Sequence, residues 1–132
     1  LGILPIDCLD YRLAASLVEA IGDQSVQVAE LASKLEGAKI TKELTQLLLK
    51  LHKVGFDAHE NALKALFTRH VALAESVRNE QKNVSRLYDE VESVVQAQYG
   101  DIAPQVLAAA SSIRRIYEHS LDIADLAMPK MG

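Results

Sequence analysis

The sequence predicts an all-α fold, an antiparallel up-down four-helix bundle, on three observations. Apolar residues recur at helical spacing almost from end to end. The three prolines and six glycines fall mostly where helices would start and stop. Alternating β-branched runs are scarce, which leaves little room for strands.

The first helix is expected over 8–36. Asp7, behind Pro5, is placed to cap it, with Asp10 three positions on in a capping-box-like spacing and Gly37 where a terminating glycine falls. Thr41 caps a second helix over 41–68, with Glu43 near its positive end. Leu44, Leu47, Leu48, Leu51, Val54 and Phe56 give that helix a broad apolar face. Gly55 interrupts the face at a cost of about 1 kcal/mol against alanine. The stretch from Leu44 to Gln98 is too long for one ordinary helix, so a break is placed near Thr68–Val71, with Thr68 or His70 as the next cap. The third helix, 70–99, buries Leu73, Val77, Val84, Leu87, Val91, Val94 and Val95. Gly100 ends it, Asp101 caps a fourth helix over 101–128, Pro104 sits in the first turn and Pro129 closes the run. Helices of roughly 25 residues, each about 38 Å long, joined by short loops, make antiparallel neighbours in a single domain spanning 1–132.

Composition narrows the function. The chain has 132 residues, 49% hydrophobic and 24% charged, enough to bury a core and too apolar for disorder. A net charge of −4 with scattered Lys and Arg gives no footprint for nucleic acid. The single cysteine, Cys8, rules out an internal disulfide, points to the cytoplasm and is expected to pack as a small apolar residue. Apolar runs stay well short of the roughly 18 residues of a membrane helix, and no secretory signal is visible. The start at Leu1 rather than Met reads as a piece of a longer protein. No phosphate-binding loop, nucleophile elbow or H-E-x-x-H motif occurs, so no enzyme is expected. His52 and His59 stand seven apart and can share a face, but this is a weak zinc signal. Tyr11, Tyr88, Tyr99 and Tyr117 read as packing residues. Ala14, Ala15, Ala108–Ala110, Ser111 and Ser112 allow close helix approach, in a bundle interior or a dimer seam.

The chemistry lies in an internal repeat. "VEAIGDQSVQVAELA" from Val18 aligns without gaps on "IRRIYEHSLDIADLA" from Ile113, an offset of 95 residues. Ile21 matches Ile116, Ser25 matches Ser120, and Asp23 matches Glu118. In the first copy Glu19, Asp23, Gln27 and Glu30 form one row along the helix. Two carboxylates one turn apart can hold a hard cation, or they can simply be a solvated face. The second row is Arg114, Glu118, Asp122 and Asp125, in which Arg114 takes the place of Glu19 and can pair with Glu118. Arg114 and Arg115 could also grip an anion.

At these residues the sequence resembles the PhoU family of phosphate-uptake regulators. The copies "EAIGDQSVQVAE" and "RRIYEHSLDIAD" are similar to the third helix of that family's three-helix repeat, and "LAESVRNEQKNVSRLYDEV" from Leu73 to its middle helix. The resemblance implies the last helix of one repeat followed by a complete second repeat. It further implies a cytoplasmic regulator of phosphate transport and signalling, acting by contact with a phosphate transporter or a sensor kinase; a homodimer is expected as well. It implies a divalent metal or iron cluster at the Glu-x-x-x-Asp motif, carried over to Glu19 and Asp23, with Glu118 and Asp122 in the degraded second copy. Some archaeal relatives of that family place a DNA-binding domain ahead of the bundle. The alternative is therefore a structural oligomerisation bundle attached to such an N-terminal domain, with no metal.

Overall fold

The computed structural model describes residues 5–35, 37, 39–98 and 100–129. Its elements are α1 (Pro5–Lys34), α2 (Lys42–Thr68), α3 (Val71–Arg78), α4 (Gln81–Gln98) and α5 (Ala103–Leu126), with no strand among the described residues. The expected order of four rods stands, the third being broken into α3 and α4. Tyr99 lies outside the described residues.

Caps explain most of the boundaries. The Thr41 hydroxyl accepts the Leu44 N–H at 3.2 Å and starts α2 as expected. His70, not Thr68, caps α3: its Nδ1 accepts from the Leu73 N–H at 3.0 Å, while the Thr68 hydroxyl turns back to the Lys64 carbonyl. Asp7 does not cap α1, which already begins at Pro5, and Asp101 gives way to Ile102, which makes no side-chain cap. Gly37 is left-handed (φ 84°) but stands in the loop beyond Lys34, not directly on the helix end.

α2 ends in a Schellman turn built on arginine. Arg69 is left-handed (φ 54°) and its N–H reaches Leu66, while the His70 N–H returns to the Ala65 carbonyl at 2.9 Å. A non-glycine residue costs about 1–2 kcal/mol in that conformation. The side chain offsets the strain by clamping the start of α1: its guanidinium pairs with Asp7 and, at 3.8 Å, with the buried Asp10, beside the Tyr11 ring.

The break between α3 and α4 has a tertiary cause. The Tyr117 hydroxyl, on α5, donates to the Val77 carbonyl at 2.6 Å, and the Glu80 N–H closes a tighter turn onto the same oxygen at 3.3 Å. The helical ladder is thereby diverted where neither glycine nor proline stands.

α5 is the central rod, packed by α1, α2, α3 and α4. Leu44, Leu51, Leu66, Val77, Val91, Val95, Val106 and Ile123 form the fully buried core. Small residues permit the close packing: Ala14 on α1, and Ala109, Ala110 and Ser112 on α5, are buried. Gly55 is buried against the Ile113 carbonyl of α5. No helix is long and apolar enough to cross a membrane among the described residues. Two expected core residues are at the surface instead: Phe56 is 51% exposed, and Cys8 is exposed.

Candidate functional site

α1 and α5, the two copies of the repeat, pack on each other and run antiparallel. The residues lining the space between them show this: Val18 and Ile21 stand with Ile113 and Ile116, while Val28, Ala32 and Leu35 stand with Ala109 and Ile113. Val18 and Ile21 thus line one end of this space together with their matches, Ile113 and Ile116. The copies also share a hydrogen bond. The Ser25 hydroxyl donates to the Ile21 carbonyl at 3.0 Å, and Ser120 donates to Ile116 at 2.7 Å. The repeat is thus structural as well as textual.

The two carboxylate rows differ as their sequences imply. Glu19, Asp23, Gln27 and Glu30 all lie on the exposed side of α1. On α5, Arg114 pairs with Glu118 at 3.2 Å and stacks over the Tyr88 ring at 4.8 Å, a contact that no local spacing revealed. Asp125 lies 3.7 Å from Arg78. The carboxyl of Asp122 is held above its ordinary value, first by desolvation and then by the neighbouring Asp125 charge. A hard cation takes about six oxygens. Among the described residues no three His, Cys, Asp or Glu side chains are grouped so as to hold one. Glu19 with Asp23, and Glu118 with Asp122, thus remain two-donor sets, and this donor geometry does not fit an intrachain metal cluster.

A feature missed by sequence reasoning lies between α1 and α2. Both helices flank α5 and barely touch each other, which leaves an open groove. One end, about 310 Å³, is lined by Val18, Ile21 and Gly22 on one wall and His52, Phe56 and His59 on the other. The adjoining end, about 370 Å³, continues through Val28 and Ala32 against Leu48 and Leu49. The His52 ring stacks on Phe56 at 6.2 Å. The His59 Nδ1 is buried without a hydrogen-bond partner, and desolvation lowers the pKa of that ring. The seven-residue spacing of the two histidines was the signal. Both rings line the same wall of the groove.

A family model described as "PhoU domain" matches residues 48–127, more than half of the chain. No curated protein and no solved structure matches the chain.

Proposed function

The chain belongs to the PhoU family, and from that premise we propose that it regulates phosphate uptake in the cytoplasm by docking on a phosphate transporter or a phosphate-sensing kinase, and on a second copy of itself. The family is regulatory rather than enzymatic, and phosphate control is its general role. The observation that carries the docking mechanism is the α1 row. Glu19, Asp23 and Glu30 are solvent-exposed along one face of a rigid 30-residue helix, and the repeat-equivalent row on α5 is partly neutralised by Arg114 and Arg78. A one-signed row of this kind steers and orients a basic partner surface and contributes little to the fold. The divalent cation expected at Glu19 and Asp23 finds no third donor among the described residues, and no step of the docking mechanism runs through it.

The test is a Glu19→Gln/Asp23→Asn/Glu30→Gln variant expressed in place of the wild-type protein. Phosphate uptake and a phosphate-responsive reporter are then followed as phosphate is withdrawn and restored. The variant folds normally by circular dichroism and loses control of uptake. Wild-type control in the variant would overturn the docking mechanism. Elemental analysis of the same pair of proteins reads the metal separately.

A further inference from the structure

We propose that Arg114 takes the place of a bound cation in the second copy of the repeat, so that the α4–α5 joint is held without metal and a divalent ion has no seat on α5. The family resemblance brings a metal expectation to Glu118 and Asp122 as well as to Glu19 and Asp23. On α5 the side chains present contradict it. Docking through α1 is a separate matter and stands or falls without this assignment.

The repeat sets the comparison. Arg114 aligns with Glu19, and Glu118 with Asp23. On α1 these are two exposed carboxylates one turn apart. Such a pair repels itself until a cation comes between its members. On α5 a guanidinium replaces the first carboxylate, and its charge is placed between two helices. The Arg114 Nε donates to Glu118 Oε1 at 3.2 Å. Its Cζ stands 4.8 Å from the centroid of the Tyr88 ring on α4. One positive charge thus joins a carboxylate of α5 to a π face of α4.

A metal ion held by Glu118 would lie about 2.0–2.6 Å from a carboxylate oxygen. That sets it against the guanidinium, whose Nε is 3.2 Å from the same group, and like charges at such range repel. Arginine suits a permanent role of this kind. It stays protonated at every accessible pH, and its weakly hydrated plane lies on an aromatic face better than an ammonium does. The rest of the row is treated in the same way. Asp125 has Arg78 of α3 at 3.7 Å. Two guanidinium groups from two helices therefore attend the three carboxylates Glu118, Asp122 and Asp125. The aligned positions on α1 are Asp23, Gln27 and Glu30, all exposed.

The consequence is an asymmetry in how the two copies can respond to ions. The contact that ties α4 to α5 at Tyr88 is carried by the chain itself and does not vary with metal supply. A response to a divalent ion has to enter through Glu19 and Asp23, with further oxygen donors from beyond the described residues. A hard cation takes about six oxygens, and among the described residues no third donor is grouped with that pair. Arg114→Glu would restore two carboxylates one turn apart on α5, with Asp122 a further turn along.

The experiment is thermal unfolding of the 132-residue chain in EDTA and in manganese chloride, with bound manganese read by electron paramagnetic resonance. Glu19→Gln/Asp23→Asn is present throughout and silences the first copy. With Arg114 in place, the chain is expected to unfold at the same temperature in both solutions, and Glu118→Gln removes no bound manganese. Arg114→Glu lowers the midpoint in EDTA by a few degrees, because the row now repels itself and the Tyr88 contact is lost. Manganese is then bound and recovers most of that loss. Arg114→Gln keeps much of the side-chain stem and reads the same response at Glu118 and Asp122 if the glutamate variant fails to fold. Manganese that stabilises the chain with Arg114 in place, and is lost on Glu118→Gln, would overturn the proposal. So would Arg114 variants that are destabilised yet indifferent to manganese, since the guanidinium would then be an ion-pair partner and nothing more. No arm reads phosphate uptake, so the docking mechanism fails or stands by its own test.

Discussion

Replacing Tyr117 with phenylalanine isolates the contact that breaks the third rod. Tyr117 is 2% exposed, and its hydroxyl donates to the Val77 carbonyl at 2.6 Å. The ring stays in phenylalanine, so packing is unchanged and only the hydrogen bond is lost. An orphaned buried carbonyl would raise the cost to as much as about 3 kcal/mol. Val77 is not orphaned, because the Glu80 N–H still reaches it at 3.3 Å. The expected loss is therefore about 1 kcal/mol, or about 4 °C in Tm for a chain of this size. The pH dependence has a definite sign. Burial, with the Glu80 and Asp125 charges, pushes the phenol from 10.0 up to about 12 in the folded chain. Between those values the unfolded chain ionises first, so wild-type stability falls as pH rises through this window. The variant lacks that loss, and its deficit shrinks above pH 10. Urea unfolding followed by circular dichroism, at neutral pH and at about pH 11, measures both effects. A loss near 3 kcal/mol, or a deficit constant with pH, would refute the assignment of this bond to the break.

Two further substitutions have equally definite signs. Gly55→Ala is expected to stabilise the chain by about 1 kcal/mol, because the new Cβ meets the Ile113 carbonyl at 3.5 Å and its methyl group at 3.9 Å, ordinary contacts in a buried helix. A fall in thermal midpoint would show that the α2–α5 approach is tighter than these distances. His59 has its folded pKa lowered from 6.5 by burial, so stability is unaffected above that value and falls as pH drops through it, when the unfolded chain takes the proton first. His59→Gln should lose this acid limb between about pH 7 and pH 5. An unchanged limb in chemical unfolding would place the titration elsewhere.

What the sequence made legible was what neighbouring residues decide. Thr41 and His70 sit beside the N–H groups they satisfy, and the carboxylate rows, the Arg114–Glu118 pair and the serine match follow from spacing within one helix. What it hid was settled at a distance. The α3–α4 break is made by a tyrosine 40 residues away, and the left-handed Arg69 is held by Asp7 and Asp10, about 60 residues back. Helical periodicity says that Phe56 belongs to an apolar pattern but not whether a helix covers it. For the same reason the groove was invisible. The exposed Cys8 likewise followed no local rule, since a small apolar residue fits either side of a helix.

The two copies of the repeat differ most informatively where they touch different things. Gly22 is matched by Tyr117 and Glu19 by Arg114. On α5 the larger side chains make contacts across the fold: the buried Tyr117 holds the broken rod, while the partly exposed Arg114 covers Tyr88 and pairs with Glu118. On α1 the same positions carry a glycine with open space around it and an exposed carboxylate. The shared pattern is thus tied to neighbouring helices in one copy and left outward in the other. A glycine in mid-helix costs about 1 kcal/mol against alanine, and an acidic row repels itself, so neither feature of α1 helps this chain fold alone. Both make sense on a surface that meets something else, apolar on the side facing the groove and anionic beside it. The proposed docking therefore falls on α1, with α5 as the scaffold that presents it.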